Sequence, residues 1–242
     1  MRLDRTRSGP RPGWLGATVI GGVALCAILP PLIARNASGG SPPTGPAWIA
    51  HPTQPFSITA TEVTVGQFRA CVDASACDPS TVNAACNYGQ PDRDDHPVNC
   101  VAYQGAAQYC AHIGGRICTE PEWLDACRGG NGRQFPYGNT FDLAACNSQS
   151  QSQTVEGRER TTAPVATLAT CEGGLTGLFD MAGNVAEWVD ACKGAYCKFR
   201  GAGYLSNDPI ASFAACGSIC SGNDQSFQSG IVGIRCCRDG ND

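Results

Sequence analysis

Histidine is scarce in this sequence, and it has no excess of basic charge. Lys and Arg together number 17 against 21 Asp and Glu, giving a formal net charge of −4. A chain with no basic excess has nothing to neutralise a run of phosphates, so nucleic acid is excluded as a partner. The histidines are His51, His96 and His112. No suitably spaced Asp and Ser accompany them, which argues against a Ser-His-Asp hydrolase. His96 precedes Pro97, which holds it extended, and it reads as a structural residue. Charge of either sign is sparse at 16%, while glycines number 30, so the domain should be loop-rich with modest helix content. There is no internal repeat and no block of like charge.

Cysteine is what the sequence has instead. There are sixteen, and fifteen lie between Cys71 and Cys237. In a reducing compartment that number would suggest metal sites; in an exported chain it suggests disulfides, each worth about 2–4 kcal/mol. The N-terminus favours export. Arg2, Arg5, Arg7 and Arg11 precede an uncharged stretch from Trp14 to Ala34. That is the positive-inside asymmetry, with the rest of the chain on the far side. Residues 1–35 are therefore a signal peptide or a retained membrane anchor. The run matches a spanning helix in length, but Pro30 and Pro31 shorten its apolar part. Leu25 before Cys26 makes a poor lipoprotein signal. Residues 36–55, rich in Ser, Gly and Pro, read as a linker, and the folded domain is expected from Phe56, over 56–242.

Three helices are expected. Thr64 caps one that runs to Ala74, with Val65, Phe68 and Val72 on its inner face. A second spans Tyr103 to Ile113 and ends at Gly114-Gly115. The third begins at Thr119 with a capping box to Glu122, buries Trp123, Leu124 and Cys127, and ends at Gly129-Gly130. From Phe135 onward, short strands and long irregular loops are expected.

Several segments, read in order, resemble the formylglycine-generating enzyme family, also called sulfatase-modifying factor domains. They include Thr61-Glu62-Val63-Thr64-Val65-Gly66-Gln67-Phe68, His96-Pro97-Val98-Asn99-Cys100-Val101 and Gly114-Gly115-Arg116-Ile117. Thr119-Glu120-Pro121-Glu122-Trp123, Gly183-Asn184-Val185-Ala186-Glu187-Trp188 and Gly233-Ile234-Arg235-Cys236 continue the series. The resemblance implies an α+β fold, a variant of the C-type lectin architecture with little regular structure, held by disulfides. The family's glycine-rich start is replaced here by prolines, so part of the opening strand is expected to be missing. The resemblance also implies two disulfides, Cys110 with Cys236 and Cys127 with Cys216. Local pairs such as Cys71 with Cys77, or Cys192 with Cys197, are open possibilities among the remaining cysteines.

The family oxidises a substrate cysteine on one copper ion held by two thiolates, beside a catalytic serine. The matching positions here are Ser206, Ala211 and Gly203. A hydroxyl and a methyl do not hold soft Cu(I), so copper is not expected. Cys220 is better read as one more disulfide partner than as a substitute ligand. A zinc site from Cys216, Cys220, Cys236 and Cys237 is a weaker alternative, because adjacent cysteines make a poor tetrahedral pair. The related sulfoxide synthases need iron-binding histidines that three scattered residues do not provide. The family's calcium segment is better kept. It makes Asn184 and Glu187 candidate ligands of a structural calcium ion, with Asn147 and an acid near Glu156 or Glu159 a weaker second site.

The expectation is thus an exported, non-catalytic binding or structural module, secreted or held at the cell exterior by its N-terminal segment. Its ligand would be a protein, a peptide or a glycan. The alternative is a divergent oxidoreductase of the same family acting on a protein cysteine.

Overall fold

Local sequence starts each of the main helices where expected. In the computed structural model, which describes residues 45–218 and 222–240, helix α1 spans Val65–Asp73. Its capping box is complete: the Gln67 N–H donates to Thr64 Oγ1, and the Thr64 N–H to Gln67 Oε1 at 2.9 Å. Helix α2 spans Tyr103–His112 and α3 spans Glu120–Arg128. The box of α3 pairs Thr119 with Glu122, and Gly129 ends it in the left-handed conformation at φ 64°. The inner faces differ slightly from expectation. Cys71 rather than Val72 completes the buried stripe of α1, and Ala126 rather than Leu124 that of α3. Both replacements keep the three-to-four-residue spacing that puts side chains on one face.

Two four-stranded sheets carry the rest. Strands β1 (Trp48–Ala50), β2 (Phe56–Thr59), β3 (Arg116–Ile117) and β8 (Cys236–Asp239) form an antiparallel sheet ordered β1-β2-β8-β3. Strands β4 (Ala186–Lys193), β5 (Tyr196–Arg200), β6 (Gly222–Asp224) and β7 (Val232–Gly233) form the other, ordered β6-β5-β4-β7, with β7 parallel to β4. A short helix, α4 (Ile210–Ala214), lies between β5 and β6. Trp188, on β4, is buried edge-to-face against Tyr103 and Phe199 and donates its indole N–H to the Val101 carbonyl at 2.9 Å.

The proline-rich stretch read as linker is, in its described part, the start of the fold. Strand β1 falls within it, so the opening strand is present and ordering begins before Phe56. The reason is the turn between β1 and β2. His51 is buried and stacks on Phe56 at 4.9 Å. Its Nδ1 accepts the N–H groups of Thr53 and Gln54, which places the ring proton on Nε2. Nε2 stands 3.1 Å from Oδ2 of Asp125, on α3, without the alignment of a full hydrogen bond. Pro52 and Pro55 therefore stiffen a hairpin turn. Arg238 lies over the Trp48 ring at 4.8 Å and helps hold the edge strand.

Seven disulfides join the described cysteines. Cys110 pairs with Cys236 and Cys127 with Cys216, as the family resemblance implied. Cys118–Cys237 adds a third tie from the α2–α3 region to the C-terminal segment. Each closes a loop of 89 to 126 residues, a length at which chain-entropy estimates exceed about 4 kcal/mol. The local pairs Cys71–Cys77 and Cys192–Cys197 form, with Cys86–Cys100 and Cys146–Cys171 besides. Such cross-linking belongs to an oxidising environment. The apolar segment of residues 14–34 and Cys220 lie outside the described residues. Among the described residues no helix is long and apolar enough to cross a membrane.

Candidate functional site

The segment that follows β5 carries the three positions where the family's chemistry would sit. Gly203 is closed in by its neighbour across the fold. A Cβ there would lie 2.7 Å from Ile231 Cβ and 3.2 Å from the Ile231 carbonyl oxygen, so a serine does not fit. The chain then turns on local bonds. The Tyr204 N–H donates to the Asn184 carbonyl at 2.7 Å, and the Ser206 N–H to the Gln149 carbonyl at 2.8 Å. Ser206 turns its hydroxyl back to the Gly203 carbonyl at 3.2 Å.

Ser206 joins Gln151, Asn207, Asp208, Ser229 and Ile231 in the wall of an open depression of about 330 Å³. Ala211, in the first turn of α4, is not in that wall. Every described cysteine is in a disulfide, Cys216 included. The donors here are hydroxyl, carboxamide and carboxylate oxygens, and they do not fit Cu(I).

A second polar centre is buried between the sheets. Arg235, just before β8, is fully enclosed. Its Nε donates to Glu187 Oε1 at 2.7 Å, and its two terminal nitrogens donate to the carbonyls of Thr59 and Phe179 at 2.7 Å each. Glu187 Oε2 accepts the Trp123 indole N–H at 2.5 Å. The ion pair thus ties β4 to β2 and to α3. Close by, Glu62 accepts the Val185 N–H at 2.8 Å and the Asn184 carboxamide N–H at 2.7 Å. Asp180 accepts the Ala166 N–H at 2.7 Å.

Three buried carboxylates lie in the field of this one guanidinium, which bonds only Glu187 among them, and their acidities reflect it. Burial pushes Glu62 well above the ordinary carboxylate range, and Asp180 and Glu187 push it further. Burial also raises Glu187 and Asp180, against the pull of Arg235.

This geometry bears on the calcium candidates. Asn184 and Glu187 are not turned to a common point. Glu187 has both oxygens engaged, one of them by a cation. Asn184, at φ 59°, uses its Oδ1 to accept the Ala163 N–H at 2.9 Å and a contact from the Asn147 Nδ2 at 3.3 Å. A calcium ion needs about six to eight oxygens free to face it, and this pair does not fit one.

Asn147 is brought to Asn184, whose N–H donates to the Asn147 carbonyl at 2.8 Å. Glu159 and Asn147 line a shared open depression of about 370 Å³ with His96, Arg93 and Arg158; Glu156 does not. The two arginines there oppose a cation. His96 is buried, and its Nδ1 faces the Thr162 hydroxyl at 2.9 Å and Arg93 at 3.1 Å. Burial and Arg93 lower its proton affinity, as suits a neutral structural imidazole.

Sequence reasoning missed Arg235, Glu62 and Asp180 as a unit. The only trace was that all three lie inside segments that carry the family resemblance; nothing local marks a charge as buried.

Comparison with known proteins agrees with the geometry. The model of the sulfatase-modifying factor enzyme 1-like domain matches residues 37–240. The formylglycine-generating enzyme of Bos taurus is 38% identical over 105 residues, covering 40% of this chain and 27% of that protein. The inactive C-alpha-formylglycine-generating enzyme 2 of Bos taurus is 30% identical over 158 residues, covering 61% of this chain and 52% of its own length. This chain thus spans about half, or less, of the curated relatives it matches. PvdO from Pseudomonas aeruginosa shares the fold with a TM-score of 0.60 at 22% identity, over 80% of this chain and 90% of that one. The domain match over residues 37–240, most of the chain, makes this chain a member of the sulfatase-modifying factor enzyme 1-like domain family.

Proposed function

We propose that this chain is an exported, non-catalytic module of its family that works by binding, outside the cytoplasm, and is attached to the membrane or released according to the fate of its N-terminal segment. The observation that carries this reading is the packing of Gly203 against Ile231, which leaves no room for the family's serine. Ser206 and Ala211 supply no thiolate beside it. Three changes within nine residues remove the nucleophile-side hydroxyl and both copper donors, while the scaffold around them is kept. One curated relative is itself named inactive, which shows that the family contains such members. Seven disulfides and the Arg-flanked apolar N-terminus favour an extracytoplasmic setting.

The test is turnover. The full chain is incubated with Cu(I), oxygen and a cysteine peptide carrying the sulfatase motif, and formylglycine is sought by mass spectrometry. No aldehyde should form. Copper-dependent conversion by the unmodified chain would overturn the proposal.

A further inference from the structure

Away from the family's chemical centre, one polar depression of about 460 Å³ lies where the start of α2 meets the β5–β6 edge. Its walls include Ser80, Gln104, Asp224, Gln225, Ser226 and Gln228, all neutral hydroxyls and carboxamides except Asp224. No lysine or arginine lines it. The side-chain amides of Gln104 and Gln228 make no hydrogen bond among the described residues. Asp224 uses only Oδ1, which accepts the Ser226 N–H at 2.9 Å and hydroxyl at 2.7 Å. Its second oxygen is left for another donor.

The segments that build this wall are pinned to one another through backbone groups. The Tyr103 N–H donates to the Gln225 carbonyl, and the Gln225 N–H to the Ala195 carbonyl, each at 2.9 Å. Ala195 also lines the depression and sits at the tip of the β4–β5 hairpin, which the Cys192–Cys197 disulfide locks across the paired strands. Tyr196 follows it. At 56% exposure Tyr196 is the exposed large hydrophobic side chain among the described residues. It is the cross-strand partner of Asp224, so the two side chains stand on one face of the sheet. Gly222 flanks it: a Cβ there would lie 3.1 Å from Tyr196 Cδ1, so the ring extends over that glycine, along the face leading out of the depression.

Unpaired amides and a half-used carboxylate suit vicinal hydroxyls. A bare ring held on a cross-linked hairpin suits the C–H face of a pyranose. The lack of cationic groups argues against an anionic ligand. The depression is too polar for an apolar peptide anchor.

We propose that this face binds a neutral oligosaccharide, with one sugar's hydroxyls in the depression and a neighbouring sugar stacked on Tyr196. The inference rests on reading the domain as a binding module and names its ligand class. Because the walls are already tied in place, little ordering is needed on binding.

The full chain is titrated calorimetrically with cellotetraose, maltotetraose and chitotetraose, and with a sulfated heparin tetrasaccharide as the charged control. At least one neutral tetrasaccharide should bind. Tyr196→Ala should weaken it by about threefold to tenfold, the range for loss of one aromatic contact. Tyr196→Phe should retain it, and Asp224→Ala should weaken it further. Both positions are exposed, and unchanged melting curves show that the three variants fold. Binding by none of the neutral sugars, binding of the sulfated one alone, or binding unaffected by both Tyr196→Ala and Asp224→Ala would overturn the proposal. Peptide turnover in the preceding assay would instead overturn the module reading and leave these titrations as they stand.

Discussion

Replacing Gly203 with serine, the residue the family carries there, sets a Cβ 2.7 Å from Ile231 Cβ and 3.1 Å from its Cγ2. Ordinary carbon contacts are about 3.5–4.0 Å, so the two chains must part by several tenths of an ångström. Ile231 is half-buried and packs on the main core, which limits how far it can yield. Overpacking of this kind costs about 1–3 kcal/mol. In a domain of this size each kcal/mol lowers Tm by about 2–4 °C. Urea unfolding with the disulfides intact measures the loss directly, because a fall in midpoint at constant slope is a loss of stability. The double variant Gly203→Ser with Ile231→Gly should then be more stable than the two separate losses add up to, since glycine removes both the Cβ and the Cγ2 that the serine Cβ would meet. If Gly203→Ser alone leaves the midpoint unchanged, or if the double variant shows no coupling, the steric argument for the closed serine position is wrong.

Arg235→Leu should destabilise by at least about 3–5 kcal/mol, because it strands the buried Glu187 carboxylate and the Thr59 and Phe179 carbonyls; the same urea assay reads it, and Arg235→Leu with Glu187→Leu should recover part of the loss. All fourteen described cysteines are in disulfides, so thiol titration of the denatured, unreduced chain should find at most two thiols, those of Cys26 and Cys220. A larger count would contradict the pairing. Chelator should leave Tm unchanged, because Glu187 is already committed to Arg235 and Trp123. A fall in Tm that Glu187→Ala abolishes would restore Asn184 and Glu187 as calcium ligands, through the stabilisation that any ligand of the folded state confers.

Local chemistry was legible in this sequence because its signals lie within a few residues of what they control. Thr64 and Thr119 start helices, since each has its capping partner three positions on, and Gly129 stops one. The family could be identified from short segments in order, and with it came the long disulfides and the absence of copper donors at Ser206 and Ala211. Tertiary structure decided the contacts between distant residues that neither short segments nor the resemblance carried. The proline-rich stretch before Phe56 looked like a linker because its strand pairing and the burial of His51 come from β2 and α3. Glu187 looked like a calcium ligand because nothing in its own segment reveals the guanidinium of Arg235, 48 residues on. Gly203 is a lost serine in the sequence. Only the fold shows Ile231 filling the space, because two segments 28 positions apart are pressed together by a core neither one specifies alone.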